Sequence, residues 1–147
     1  MKTLFNEADY QELAKRVEAL SKDARPQWGK MNVAQMLAHV NSTIEAPLGK
    51  IEPPSESNWF KRFIIKPIAL SNRPIMKNAP TAKVHKMVDE KDFNAEKQRL
   101  LQNLKEMYER GVNGEYKPHV SFGPMTSEEW GILVRKHTDH HLSQFGE

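Results

Sequence analysis

The sequence predicts an all-α fold, a four-helix bundle with a long crossover between its second and third helices. Three observations carry that expectation. Apolar residues recur at three- and four-residue spacing in four separate stretches. Strand signals are almost absent. Two short connections flank one long one, and a long crossover lets the middle pair of helices run parallel. At 147 residues and 38% hydrophobic content, the chain is expected to form a single domain, residues 1–147, with one core.

The first helix is read from Tyr10, Leu13, Ala14, Val17 and Leu20, between Glu7 and Leu20. Pro26, Trp28 and Gly29 break that pattern. Asn32, with Gln35 three residues later, then resembles a capping box opening a second helix. Its apolar stripe is Val33, Met36, Leu37, Val40 and Ile44, and Pro47 with Gly49 is expected to end it. From Leu48 to Asp92 the chain is rich in Pro, Ser and Asn, with a helical stretch expected between Glu56 and Leu70. A third helix runs from Asp92 to Arg110 on Phe93, Leu100, Leu101, Leu104, Met107 and Tyr108, with Gly111 as its stop. After a loop to Pro124, Thr126 and Glu129 form another capping box. The fourth helix then carries Trp130, Leu133, Val134, His137, His141 and Phe145 towards Gly146.

Composition narrows the function. With no cysteine, thiolate metal sites and cysteine nucleophiles are excluded, so any metal must be held by nitrogen or oxygen. The balance of 22 basic and 19 acidic residues, net charge +3, describes a mixed surface. No helix combines a continuous basic stripe with interleaved aromatics, so nucleic acid is not an expected partner. No apolar run reaches membrane-spanning length and the first residues lack an apolar signal region, so a cytoplasmic protein with no membrane partner is expected. The densest apolar-basic segment, Trp59 to Ile68, reads as a short amphipathic helix packing its apolar side on the bundle.

The chemistry lies in the histidines. His137 and His141 are four apart, one above the other on a helix, and can aim their ring nitrogens at one point. The spacing matches helical zinc sites, although no Glu stands at position 138 to serve as the base of a zinc protease. Solvated histidines also occur at this spacing, so the pair alone is ambiguous. His39 shifts the balance: it sits beside Leu37 and Val40 in a core-facing helix, where an unpaired imidazole is costly. A three-histidine site, His39, His137 and His141, is the better account. It leaves a coordination position open, as catalytic zinc sites do. Zinc or nickel is the expected ion, and iron or manganese also accept imidazole. At helical spacing, Gln144, Thr43, Gln35 and Glu129 are candidates to orient the ligands, and Trp130 to wall the pocket. His85 and His119 fall in loops and are expected to be solvated.

Two segments resemble a known family. Trp28-Gly29-Lys30-Met31-Asn32-Val33-Ala34-Gln35-Met36-Leu37-Ala38-His39 and the stretch from Phe122 through His137-Thr138-Asp139-His140-His141-Leu142-Ser143-Gln144 look like the DinB-like (YfiT-like) superfamily. The resemblance spans most of the chain. It implies an up-down-down-up bundle, often a homodimer, holding a divalent metal through His39, His137 and His141, with His140 not a ligand.

Some members of that superfamily transfer low-molecular-weight thiols and others act as isomerases or hydrolases, so the resemblance sets the site better than the reaction. The expected activity is a metal-dependent transfer of such a thiol, as co-substrate, to an electrophilic small molecule. Two alternatives stand beside it. One is hydrolysis at the metal, which wants a base such as Glu129 or Glu45. The other is a non-catalytic metal-binding module of a stress response.

Overall fold

The computed structural model describes residues 1–147 and is all-helical. Helix α1 (Glu7–Ala19) starts at Asn6, whose Oδ1 accepts from the Asp9 N–H at 3.1 Å. Helix α2 (Val33–Leu48) opens with the reciprocal box the sequence predicts, each of Asn32 and Gln35 accepting the other's backbone N–H at 2.9 Å. Helix α3 (Lys66–Ala69) continues a π-helical turn over Lys61–Ile65. Asp92 caps α4 (Phe93–Arg110) and Gly111 closes it. Thr126 and Glu129 box the start of α5 (Ser127–Gln144).

Helix α2 departs from the expected amphipathic pattern, because every residue in it except Gln35 and Thr43 is buried. It contacts α4, α5 and the turn Lys83–His85, so no side is left for solvent. Three covered sides bury even the polar residues His39, Asn41, Ser42 and Glu45, which must therefore find partners inside the fold. Pro47 does not end it. Placed in the final turn, this proline gives up one intrahelical bond and stays in the helix, while Gly49, at φ 82°, provides the stop.

The four long helices touch in a ring: α1 with α4, α4 with α2, α2 with α5, and α5 with α1. Their directions follow from side-chain pairs. Glu12 meets Arg135 and Arg16 meets Asp139, so α1 and α5 run the same way. Asn41 meets Glu96 and Glu45 meets Asn103, so α2 and α4 also run together. Tyr10 stacks on Tyr108 while Lys97 reaches the carbonyl of Glu18, so α1 and α4 are opposed. The shared core includes Leu13, Val17, Met36, Leu37, Leu104, Trp130 and Leu142. No helix is long and apolar enough to cross a membrane.

The crossover corrects a second expectation. Its helical stretch is shorter than Glu56 to Leu70, and it does not pack its apolar side inward. Trp59, Phe60, Phe63, Ile64, Ile65 and Ile68 are all exposed. Its inward side is polar: Lys61 Nζ donates to the Glu56 carbonyl within the crossover at 2.8 Å, and Lys66 Nζ reaches the body, donating to the Pro124 carbonyl at 3.2 Å. From α5, Lys136 Nζ donates to the carbonyls of Ala69 and Ser71, both at 2.8 Å.

Candidate metal centre

His39 comes from the middle of α2, and His137 and His141 from successive turns of α5. The helices bring one ring nitrogen of each to within 4.8 Å of the others. His137 Nε2 lies 3.2 Å from His39 Nε2 and 3.2 Å from His141 Nε2. Two nitrogens bound tetrahedrally to one zinc ion, each at roughly 2.0–2.1 Å, stand about 3.3–3.4 Å apart. The spacing therefore fits a shared ion. His140 is outside this group, with its ring against Trp28 and His141.

Hydrogen bonds fix which nitrogen carries a proton on two of the three rings. His39 Nδ1–H donates to the His85 carbonyl at 2.8 Å, which leaves its Nε2 as a lone pair. His141 Nδ1–H donates to Gln144 Oε1 at 2.7 Å, with the same result. The Gln144 amide is itself oriented, because its Nε2 donates to the Trp28 carbonyl at 2.8 Å. Two lone pairs thus point at His137 Nε2, and one proton on that nitrogen satisfies at most one of them. A cation at the centre satisfies all three rings. Outer hydrogen bonds of this kind set the tautomer and raise the basicity of metal-bound histidines.

The same burial that makes an unpaired lone pair costly also keeps the rings neutral. Burial, then the neighbouring His141 and His39, holds His137 well below the usual histidine range. Burial and the proximity of His39 push His141 down to about 3. Burial lowers His39 too, partly offset by its bond to the His85 carbonyl. Neutral imidazole is the form that ligates.

His85, expected to be solvated, is buried and belongs to this assembly. Its Nδ1–H donates to Ser42 Oγ at 2.8 Å, and the Ser42 hydroxyl donates to the His39 carbonyl at 2.7 Å. His39 and His85 therefore hold each other through two routes, and burial pushes His85 down to about 4. His119 is half-buried and bonded to its own turn. Its Nδ1 accepts the N–H groups of Ser121 and Phe122, each at 3.0 Å, and its ring lies 5.3 Å from that of Trp130.

Among the predicted supporting residues, Gln144 touches one of the three clustered histidines, His141, and the others make their bonds elsewhere. Gln35 serves the α2 cap and the Asp89 carbonyl, and Thr43 donates back to the Val40 carbonyl. Glu129 serves the α5 cap and pairs with Lys66. Trp130 packs in the core. A cavity of about 460 Å³ opens beside His140, between Trp28, Arg73, Lys77 and Lys136, and none of the three clustered histidines lines it.

A family model described as "Protein of unknown function (DUF1569)" matches residues 4–147. The chain belongs to that family. No curated protein and no solved structure matches it. The matched region of this DUF1569 chain takes in all three histidines, the Trp28-Gly29 turn and Gln144. Gly29 adopts φ 83°, and a Cβ there would stand 2.7 Å from Gln144 Nε2. Glycine is needed so that this backbone can approach the amide that orients His141.

Proposed function

We propose that this chain is a divalent-metal-dependent enzyme that transfers a low-molecular-weight thiol to an electrophilic small molecule, on a DinB-like four-helix bundle. One observation carries the metal: three imidazole nitrogens converge, and on two of them a hydrogen bond at the far nitrogen turns the lone pair inward. The opposed and parallel helix pairs support reading the long helices as an up-down-down-up bundle. Within it His39, His137 and His141 would hold the ion. The donor set is all nitrogen, which favours zinc or nickel, then iron, over the oxygen-preferring manganese.

A divalent ion bound there supplies Lewis acidity, which makes a thiol or water nucleophilic near neutral pH. The chain's own contribution is orientation. The His85 carbonyl and Gln144 Oε1 hold two rings in place, and three ligands leave a position for a small molecule. Thiol transfer is preferred to base-assisted hydrolysis because both candidate carboxylates are engaged elsewhere. Glu129 is bound at the α5 cap, and Glu45 is bound by Arg99 and Asn103. A thiol, far more acidic than water, would need no such base.

The test is metal analysis of tag-free protein, followed by conjugation assays crossing several thiols, electrophiles and metals. The expected result is one ion per chain and metal-dependent loss of free thiol, both abolished in His39→Ala. Equal metal content in the variant would overturn the site. Metal binding without turnover of any thiol pair, with hydrolysis of an ester instead, would overturn the transferase reading.

A further inference from the structure

The helical stretch between Trp59 and Ala69 is built inside out. Positions 59, 60, 63, 64 and 68 share one side of a helix with about four residues per turn, and they hold Trp59, Phe60, Phe63, Ile64 and Ile68. All five are exposed, Trp59 at 69% and Phe63 at 70%. From Asn58 to Ile68 the half-buried residues are two lysines, Lys61 and Lys66, which tie the opposite side to backbone carbonyls. A soluble domain ordinarily points such a helix the other way. Contiguous exposed apolar surface of this kind marks an interaction site.

Charge identifies what it meets. From Ser57 to Val88 there are seven Lys and Arg and no Asp or Glu. With 22 basic and 19 acidic residues overall, the rest of the chain carries 15 against 19, so the excess positive charge resides in the crossover. Arg62, Arg73, Lys77, Lys83 and Lys86 are exposed, and none of the five is ion-paired. An exposed apolar strip of Trp, Phe and Ile, carried on a segment with five unpaired cations and no acidic residue, suits the boundary between acyl chains and negatively charged headgroups. A second copy of the chain suits it poorly, because a self-complementary contact would bring two crossovers together that each carry five unpaired cations and, from Ser57 to Val88, no acidic residue.

We propose that the crossover docks the protein on an anionic lipid surface, with Trp59, Phe60, Phe63, Ile64 and Ile68 inserted at the headgroup boundary. The chain lies on the bilayer and does not span it. The proposal is independent of the metal site.

The test is co-sedimentation of the full chain with phosphatidylcholine vesicles, with and without phosphatidylglycerol, for the wild type and Phe63→Glu. Phe63 is exposed, so its replacement removes no core packing, and circular dichroism and metal content serve as controls. Binding to the anionic vesicles is expected to be at least tenfold tighter than to neutral ones, weaker in high salt, and at least tenfold weaker in the variant. Failure to pellet with anionic vesicles overturns the proposal. So does equal binding by Phe63→Glu, which would mean adsorption by charge alone. A solution dimer that buries Trp59 and is lost in Phe63→Glu overturns it in favour of a second copy.

Discussion

Helix α2 contributes to two buried polar clusters, and they differ in one respect. On the α4 side, Asn41 Nδ2 donates to Glu96 Oε2 at 2.9 Å, and Asn103 Nδ2 donates to Asn41 Oδ1 at 2.9 Å and to Glu45 Oε2 at 3.0 Å. Arg99 donates to both Glu45 and Glu96. Burial alone would raise the Glu45 carboxyl, but the bonds from Arg99 and Asn103 hold it below the usual value. Donors and acceptors match, so the cluster is complete within the chain. On the α5 side, acceptors face one another at 3.2 Å with at most one proton between them. A satisfied network specifies packing, whereas a converging unsatisfied one is completed by a bound cation under the proposal above.

The contrast is broken most severely at the histidines. His137→Ala removes the nitrogen that both other rings face, and bound metal is expected to fall from one ion per chain to none by elemental analysis. Metal that binds the folded state adds about 2.7 kcal/mol of stability at a free concentration 100-fold above its dissociation constant. Chelation should therefore lower the wild-type melting temperature and leave that of His137→Ala unmoved. An unchanged wild type would mean that the cluster holds no ion.

The closed cluster should respond in the opposite sense. Glu45→Ala removes one of the two acceptors from each of Arg99 and Asn103, which keep Glu96 and Asn41, and a loss of about 2 kcal/mol is expected, discounted from that of a fully buried pair because Arg99 is 43% exposed. Metal content should be unchanged. If Glu45→Ala also lost the ion, the two clusters would be one coupled network.

The junction between ligand and scaffold gives a smaller, graded effect. Gln144→Leu removes the acceptor for His141 Nδ1–H, and metal affinity should fall roughly 10- to 100-fold while saturation still reaches one ion. Gly29→Ala should weaken affinity in the same direction, since its Cβ crowds Gln144 Nε2. Titration with a competing chelator separates lower affinity from lost sites. Full wild-type affinity in both variants would show that the Trp28–Gln144–His141 chain does not tune the metal.

These positions also show where the sequence was legible. The capping boxes at Asn32 and Thr126, the stop at Gly111 and the four long helices follow from local rules acting over three or four residues. The pair His137 and His141 is local in the same sense, and His39 was found because a lone imidazole stood in an apolar helix. His85 was not found. It reaches His39 across 46 residues through a backbone carbonyl, which every residue has and no sequence pattern marks. The one available signal was Ser42, a hydroxyl in a helix otherwise committed to burial. The crossover was misread for a related reason. Amphipathic periodicity shows that a helix has two sides but not which one meets the body, and here Lys66 turns its side inward through the carbonyl of Pro124, 58 residues away, while Lys61 bonds the nearby Glu56 carbonyl.

His119 is the outlying histidine, and it offers a pH test that leaves both clusters intact. Its Nδ1 must stay unprotonated to accept from Ser121 and Phe122, and burial, with smaller contributions from His85 and Lys66, pushes it down to about 3. The unfolded chain takes up that proton near pH 6.5. Between these values the unfolded state binds more protons than the folded one, so the contribution of His119 is full above pH 6.5 and is lost as pH falls towards 3. The loss is roughly 1.4 kcal/mol per pH unit within that window. His119→Asn keeps an acceptor oxygen for the turn but cannot be protonated there. Urea unfolding at pH 6.5 and 5.5 should therefore show a drop in stability about 1 kcal/mol smaller in the variant. The other histidines are common to both proteins and cancel in the difference, so equal drops would place the His119 proton on the folded state as readily as on the unfolded one.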